Sequence, residues 1–350
     1  MTERFLERCW YFGGWSDKLA NGATKEVLLA ARSIVLYRAE SGQASAIANR
    51  CPHRFSPLHA GRVHGTSLAC PYHGLRFGSD GACTFSPHNN GAVPKISVPA
   101  YPVAERDGAI WIWMSQQAAP DRTLIPNLRD LTAYPATTLL DIPSMLVNAH
   151  YELMSDNLMD PSHADFVHLG KLGNGLVSTQ HGRVSTENGS VKGEWIWRGA
   201  GPIPFLNRFV PDERNAETWF TVCWNAPGVI RLENGITPLG KPREAGAWVI
   251  AYHLFMPRDS NSTNYDVRSV RNVGTDDLEL TSSALKLAVQ LFNDEDRPLI
   301  EAQHRAMNGS DFWSLRPALL PSDTPSAAVR RSLKAQIEAE HAALVPTATQ

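Results

Sequence analysis

Short apolar runs bounded by turn residues recur along the first third of the chain, as the buried strands of a small β domain do. Residues 27–30, 34–37 and 44–48 read as strands, with Ser41-Gly42 as a turn between the second and third. Residues 82–85 and 109–114, the latter reading A-I-W-I-W-M, continue the pattern. It breaks over residues 116–136, where Gln-Gln-Ala-Ala-Pro is followed by Pro126 and Pro135, the signature of a linker or surface crossover. A strand at 137–142 should open a second region. The pattern then changes: Val147, Tyr151, Met154 and Leu158 form one stripe of a helix. Strands return at 183–187 and 191–197, joined by Asn188-Gly189-Ser190, whose N-G pair predicts a hairpin. Further strands are expected at 218–224, 228–233, 247–256 and 265–270. A long helix from about Asp276 carries Ala284, Leu285, Ala288, Leu291 and Phe292 on one stripe, and residues 326–344 are amphipathic with mixed charge. The pattern predicts an α+β chain with an all-β domain over residues 1–115, a crossover over 116–136 and a second domain over 137–350, built of an antiparallel sheet and helices.

Composition narrows the class. A 350-residue chain with 43% hydrophobic residues can bury two cores. A formal charge of −2 gives no basic stripe for a phosphate backbone, which argues against nucleic acid as a partner. No apolar run approaches the ~20 residues that cross a bilayer, and the start, Met1-Thr-Glu-Arg-Phe-Leu-Glu-Arg, has acids where a signal peptide would be apolar, so a cytoplasmic protein off the membrane is expected. Five widely spaced cysteines argue against a disulfide framework and for a reducing compartment. Cys9, Cys83 and Cys223 read as small buried apolar side chains.

Candidate chemistry lies in two places. Cys51-Pro-His53-Arg and Cys70-Pro-Tyr-His73 place one thiol and one imidazole in each of two loops. Cys51 and Cys70 can hold one iron of a [2Fe–2S] cluster and His53 and His73 the other, which is Rieske ligation. Two bland readings compete: a Cys51–Cys70 disulfide, and a structural zinc, although zinc fingers pair their cysteines in one knuckle and their histidines in another. Pro52, Pro71, Gly61 and Gly74 suit loops that turn tightly around a cluster. The second place is Asn157-Leu-Met-Asp160-Pro-Ser-His163-Ala-Asp-Phe-Val-His168. Five residues apart, His163 and His168 would point about 140° from each other on one regular helix. Pro161 ends or kinks the helix and lets them converge. Two imidazoles and a distant carboxylate make the facial set of non-heme iron, whereas an isolated pair would be caps or surface groups.

The cluster loops, Cys9-Trp10-Tyr11, Tyr72-His73-Gly74-Leu75, the A-I-W-I-W-M strand and N-x2-D-x2-H-x4-H together resemble the oxygenase components of Rieske non-heme iron oxygenases, in the group that hydroxylates methyl groups on aromatic compounds. The resemblance covers nearly the whole chain. It implies a Rieske domain followed by a helix-grip-like catalytic domain, with His163 and His168 as iron ligands. The third ligand would be Asp296, from the pair Glu295-Asp296 five residues before Glu301. Read without the family, Asp296 caps a helix with Pro298 at its second position. Asp160 would carry electrons from His73 of a neighbouring subunit to His163, and Asn157 would line the iron site. A relay between sites in separate domains suits a head-to-tail ring, and the resemblance suggests a homotrimer. Electrons would come from an NAD(P)H-fed reductase, with or without a ferredoxin, and dioxygen would supply the inserted oxygen. His253 stands where a family member holds its substrate with a histidine, and Arg231 on a neighbouring strand could pair with a substrate carboxylate or sulfonate. The favoured reaction is O-demethylation of a small aromatic compound. N-demethylation and ring hydroxylation are alternatives, and a Rieske electron carrier is the non-enzyme alternative.

Overall fold

The computed structural model describes residues 5–88, 92–134, 137–199, 201, 204–210 and 212–344. The chain forms two compact units, Met1–Asn127 and Leu128–Gln350, divided inside the proline-broken stretch.

The first unit consists of three small antiparallel sheets. Its strands are β1 (Trp10–Trp15), β2 (Thr24–Leu29), β3 (Arg32–Arg38), β4 (Ala44–Ala48), β5 (Arg62–His64), β6 (Ser67–Ala69), β7 (Arg76–Phe77), β8 (Cys83–Phe85), β9 (Ala100–Tyr101), β10 (Val103–Arg106) and β11 (Ala109–Trp113). They pair in the orders β1-β11-β10, β2-β3-β4-β9 and β5-β6-β7-β8. The A-I-W-I-W run is central in its sheet and buried at every position, which is why it is apolar without alternation. Val35, Tyr37, Ile47, Leu58, Leu68, Phe77 and Val98 form one core, and Cys51 and Cys70 belong to it. Hydrophobic burial thus anchors both ligand loops at their cysteine ends.

The second unit is organised on one seven-stranded antiparallel sheet. Its strands are β12 (Thr138–Val147), β13 (Arg183–Glu187), β14 (Ser190–Arg198), β15 (Ala216–Asn225), β16 (Val229–Pro238), β17 (Ala247–Asp259) and β18 (Ser262–Arg271), in the order β12-β18-β17-β16-β15-β14-β13. The last six form a meander, and its final strand, β18, pairs with β12. Asn188 and Gly189, at φ 48° and 82°, make the left-handed turn that the N-G pair predicts. The helices are α1 (Asp130–Ala133), α2 (Tyr151–Met159), α3 (Ala164–Val167), α4 (Pro204–Asn207), α5 (Leu278–Gln290), α6 (Arg297–Met307) and α7 (Thr324–Leu344). Val147 ends β12 rather than opening a helix, and α2 begins only after His150, whose ring accepts from the Glu152 N–H at 3.4 Å. No helix among the described residues is long and apolar enough to cross a membrane.

Between α5 and α6 the backbone widens into a π segment, Leu291–Asp296. Pro298 has no N–H and its ring crowds the carbonyl four residues back, so a wider turn before it lets the helix continue unbroken. The expectation that Asp296 caps a new helix therefore fails: it is helical, at φ −74° and ψ −54°, and its side chain makes no capping bond. Its carboxylate is left available to the site.

Candidate metal centres and cavity

In the first unit Cys51 and Cys70 pack into the same core and both are free thiols, so no disulfide joins them. The backbone N–H groups of His53 and Arg54 point at the Cys51 sulfur. Cys51 N–H donates to the Ser56 carbonyl at 2.9 Å and Cys70 N–H to that of Leu75 at 2.8 Å, closing each loop on itself. Gly74, at φ +69°, supplies the left-handed residue that returns the second loop to its strand. The cysteines are buried, whereas His53 is exposed and lies ring to ring with His73 at 4.6 Å. No three of these four residues bring their donor atoms within 4.8 Å of one another, as ligands of a single tetrahedral zinc would. Two buried thiols on one side and two outward imidazoles on the other fit a two-iron cluster instead.

In the second unit His163, His168 and Asp296 each place a donor atom within 4.8 Å of the others, and they are the only such group among the described residues. The local sequence explains the convergence. Helix α2 stops at Asp160, which adopts φ −113° because the residue before a proline is driven out of the helical region. Asp160 then caps a single 3-10 turn, Pro161–His163, by accepting from the Ser162 N–H at 2.9 Å, and α3 delivers His168. The offset cancels the 140° divergence.

Each ring is held by its far nitrogen. His163 Nδ1 contacts the Asp160 carbonyl oxygen, and His168 Nδ1 lies 2.7 Å from Glu295 Oε2. Both acceptors take a proton on Nδ1, so in the neutral, metal-binding form of each ring Nε2 carries the lone pair. These face Asp296 Oδ1 at 3.6 and 3.1 Å. Two lone pairs and a carboxylate aimed at one point repel one another unless a cation sits among them, and donor atoms about 3 Å apart are what an ion with ligands near 2 Å requires. Asn157 Nδ2 donates to the same Asp296 oxygen at 3.1 Å.

Above this centre lies a cavity of about 440 Å³, walled by β12, β17, β18 and α5. Its lining is chiefly aliphatic and aromatic, including Ile142, Val249, Val267, Leu287, Leu291 and Phe292. His253 lines it and its Nδ1 lies 2.6 Å from the Tyr265 hydroxyl. Burial holds His253 down to about 4, so the ring is neutral. Asn234 also lines the cavity, and its buried Oδ1 has no hydrogen-bond partner.

Arg231 does not reach the cavity. Leu232 and Asn234 of β16 face it, so strand alternation sends Arg231 to the opposite face. There its guanidinium pairs with Asp130 and Glu233, each at 2.6 Å, and Tyr252 donates to the same Asp130 oxygen. Its expected substrate contact is corrected to a structural ion-pair cluster under α1. Glu301 is likewise structural, accepting from the Asn148 N–H at 3.0 Å and from Arg297.

Five residues at the site were not singled out by the sequence for these roles. Glu295 was noted only as the neighbour of Asp296, and Lys171, which is ion-paired to it, lies 124 positions away. Asn234 and Tyr265 show their facing only once the register is known. Asp165, 5% exposed, was visible inside the histidine motif. It accepts from the N–H groups of Asn174, Gly175 and Ser178 and fixes the loop beside His168.

Residues 9–102 match the Rieske [2Fe–2S] domain, and residues 147–339 match the vanillate O-demethylase oxygenase C-terminal domain. The chain is 34% identical over 338 residues to the oxygenase component of chloroacetanilide N-alkylformylase from Rhizorhabdus wittichii, covering 96% of this chain and 97% of that one. It is 30% identical to the oxygenase component of dicamba O-demethylase from Stenotrophomonas maltophilia, covering 94% and 97%. Dicamba monooxygenase bound to dicamba superposes with a TM-score of 0.88 at 29% identity, over 97% of this chain and 100% of that one. The structure of dicamba monooxygenase with non-heme iron and dicamba superposes at 0.84. The chain thus belongs to the vanillate O-demethylase family of Rieske non-heme iron oxygenase components.

Proposed function

We propose that this chain is the oxygenase component of a multicomponent monooxygenase that hydroxylates a methyl or short alkyl carbon on a small aromatic substrate, O-demethylation being the favoured reaction. The observation that carries the reading is the convergence of His163, His168 and Asp296 at the floor of an apolar cavity. In this assignment Cys51, His53, Cys70 and His73 hold the [2Fe–2S] cluster, and His163, His168 and Asp296 hold the mononuclear iron. The two iron centres supply stored electrons and dioxygen activation, chemistry that no protein side chain performs.

The protein's own contribution is placement. Asn157 holds the Asp296 carboxylate in register, and the Nδ1 contacts hold both imidazoles. The aliphatic walls take the aromatic ring and exclude water. The neutral His253–Tyr265 pair offers the polar contact that orients it. A hydroxylated O-methyl group is a hemiacetal, which collapses to a phenol and formaldehyde. N-dealkylation is a second reading, favoured by the likeness to the chloroacetanilide enzyme.

Electrons would enter from an NAD(P)H-dependent reductase, directly or through a ferredoxin, and pass between subunits of a homotrimer. In support, Phe55 and Tyr72 stand 69% and 60% exposed beside His53 and His73, and Phe166 and Leu169 are 77% and 66% exposed beside His163 and His168. Two apolar patches, one at each centre, suit the docking of one subunit's Rieske unit on the next subunit's catalytic unit. Asp160, one step from His163, would be the relay to His73.

The test is anaerobic iron analysis with EPR, followed by turnover with NADH and a flavin- and [2Fe–2S]-containing reductase. The expected result is about three irons per chain, two in the cluster and one mononuclear. Asp296→Ala and His163→Ala should each lose one iron and keep the Rieske signal, and methoxy- or N-alkyl-aromatics should release aldehyde. Two irons in the unaltered chain, unchanged by either substitution, would leave only an electron carrier.

A further inference from the structure

Consecutive residues of the π segment grip one imidazole by both of its nitrogens. Asp296 Oδ1 stands 3.1 Å from His168 Nε2, and Glu295 Oε2 stands 2.7 Å from Nδ1. The other Glu295 oxygen is ion-paired with Lys171. Lys171 is not there by chance of a long side chain: the N–H groups of Lys171, Leu172 and Gly173 all donate to the His168 carbonyl, at 2.9, 3.1 and 3.2 Å. That turn folds the chain back on the histidine and carries Lys171 to Glu295, while Lys171 and Leu172 also line the cavity.

We propose that Glu295, held in turn by Lys171, is a positioning residue that fixes His168 with Nε2 toward the metal and thereby sets how tightly the mononuclear centre keeps its iron. The inference rests on reading His163, His168 and Asp296 as an iron site. The two histidines differ in one respect. His163 Nδ1 meets a neutral backbone carbonyl, which the chain supplies for any side chain at position 160, whereas His168 Nδ1 meets a carboxylate. An anionic acceptor draws the Nδ1 proton and makes Nε2 the more electron-rich donor, and it also stops the ring from flipping. Glu295 lies behind the ring, so it cannot itself be a ligand, and the Lys171 ammonium balances its charge. Lys171 joins a cavity-wall turn to that carboxylate, so the order of the turn and retention of the metal are coupled.

The test is ferrous-iron retention by the anaerobic full-length protein against a soluble chelator, with cobalt(II) loaded in parallel as a spectroscopic probe. Glu295→Ala should weaken retention about 10- to 100-fold and shift the cobalt ligand-field bands, while the Rieske absorption stays unchanged. Glu295→Gln keeps an acceptor for the Nδ1 proton without the charge and should fall between Ala and the unaltered chain. Lys171→Met should weaken retention less than Glu295→Ala and speed proteolytic nicking of residues 169–175. Retention by both Glu295 variants within about twofold of the unaltered chain, with the cobalt bands unmoved, would overturn the role of Glu295 and leave the iron site standing. An unaltered chain that binds no mononuclear iron would overturn the site reading itself, and Glu295 with it.

Discussion

His253 shows what a single side chain contributes once its surroundings are known. Its accessible surface lines the cavity rather than bulk solvent, and burial lowers it from 6.5 to about 4. The folded state keeps the ring neutral while the unfolded chain takes up a proton below pH 6.5, so the unfolded state binds more protons throughout that interval. Stability from this group is therefore complete above pH 6.5 and falls as the pH drops toward 4. Between pH 8 and pH 5 the unaltered protein should lose about 2 kcal/mol relative to His253→Gln, read from denaturant midpoints of the two proteins at each pH. Parallel midpoints at both pH values would show that the ring is protonated in place. At this scale the sequence was legible wherever chemistry is local. Cys51-x-His53, Cys70-x2-His73 and His163-x4-His168 carry their spacing in plain view. It was not legible for Arg231, because a guanidinium reads the same on either face of a strand, nor for Glu295, whose partner His168 is 127 positions away.

Elements were predicted well where periodicity alone decides them and less well where packing does. The strands of the large sheet and α7 stand close to their expected places, because alternation and amphipathic spacing are local properties. The joined helix through the π segment was not foreseen, since Pro298 signals a break and only the widened turn removes its clash. The amphipathic pattern implied that α7 docks on the catalytic domain, but not which side chains of α2 receive it. Arg330, 5% exposed, pairs with Asp156 of α2 at 2.6 Å and Glu152 at 2.7 Å, and its guanidinium lies 4.1 Å from the Phe312 ring. Asp156 precedes Asn157, so this pairing fixes the helix that reaches the candidate metal centre. Arg330→Ala leaves Asp156 and Glu152, both half-buried, without the guanidinium and should cost about 1.5–3 kcal/mol. Arg330→Lys keeps a charge but not the fork that serves two carboxylates, and should cost less than Ala and more than nothing. Thermal or denaturant unfolding of the catalytic unit checks the order, and equal midpoints for all three would show that α7 docks by its apolar face alone.

For the whole molecule, the two centres sit in separately packed units of the chain, each with its own exposed apolar patch, and the proposed route joins centres of different subunits. That route can be tested without knowing the substrate's identity in the cell. On the proposed assignment, Cys70→Ala should remove the cluster from a chain and Asp296→Ala the mononuclear iron from another, and each homogeneous assembly should be inactive. In an equal, randomly mixed assembly, a Rieske centre from the second variant faces a catalytic centre from the first at about one interface in four of a cyclic ring, because each position is filled independently. Aldehyde release should therefore recover to about one quarter of the unaltered level, given mixing before assembly. Transfer within each chain predicts no recovery at any ratio, since no single chain then carries both centres. Mixing the two after assembly should also give none, which separates subunit contact within the ring from collision between rings. Asp160→Asn in the second variant's partner tightens the argument further: carried by the Cys70→Ala chain, whose catalytic centre does the work, it should abolish the recovery. Carried by the Asp296→Ala chain, it should leave the recovery intact, because there Asp160 lies beside a centre that takes no part.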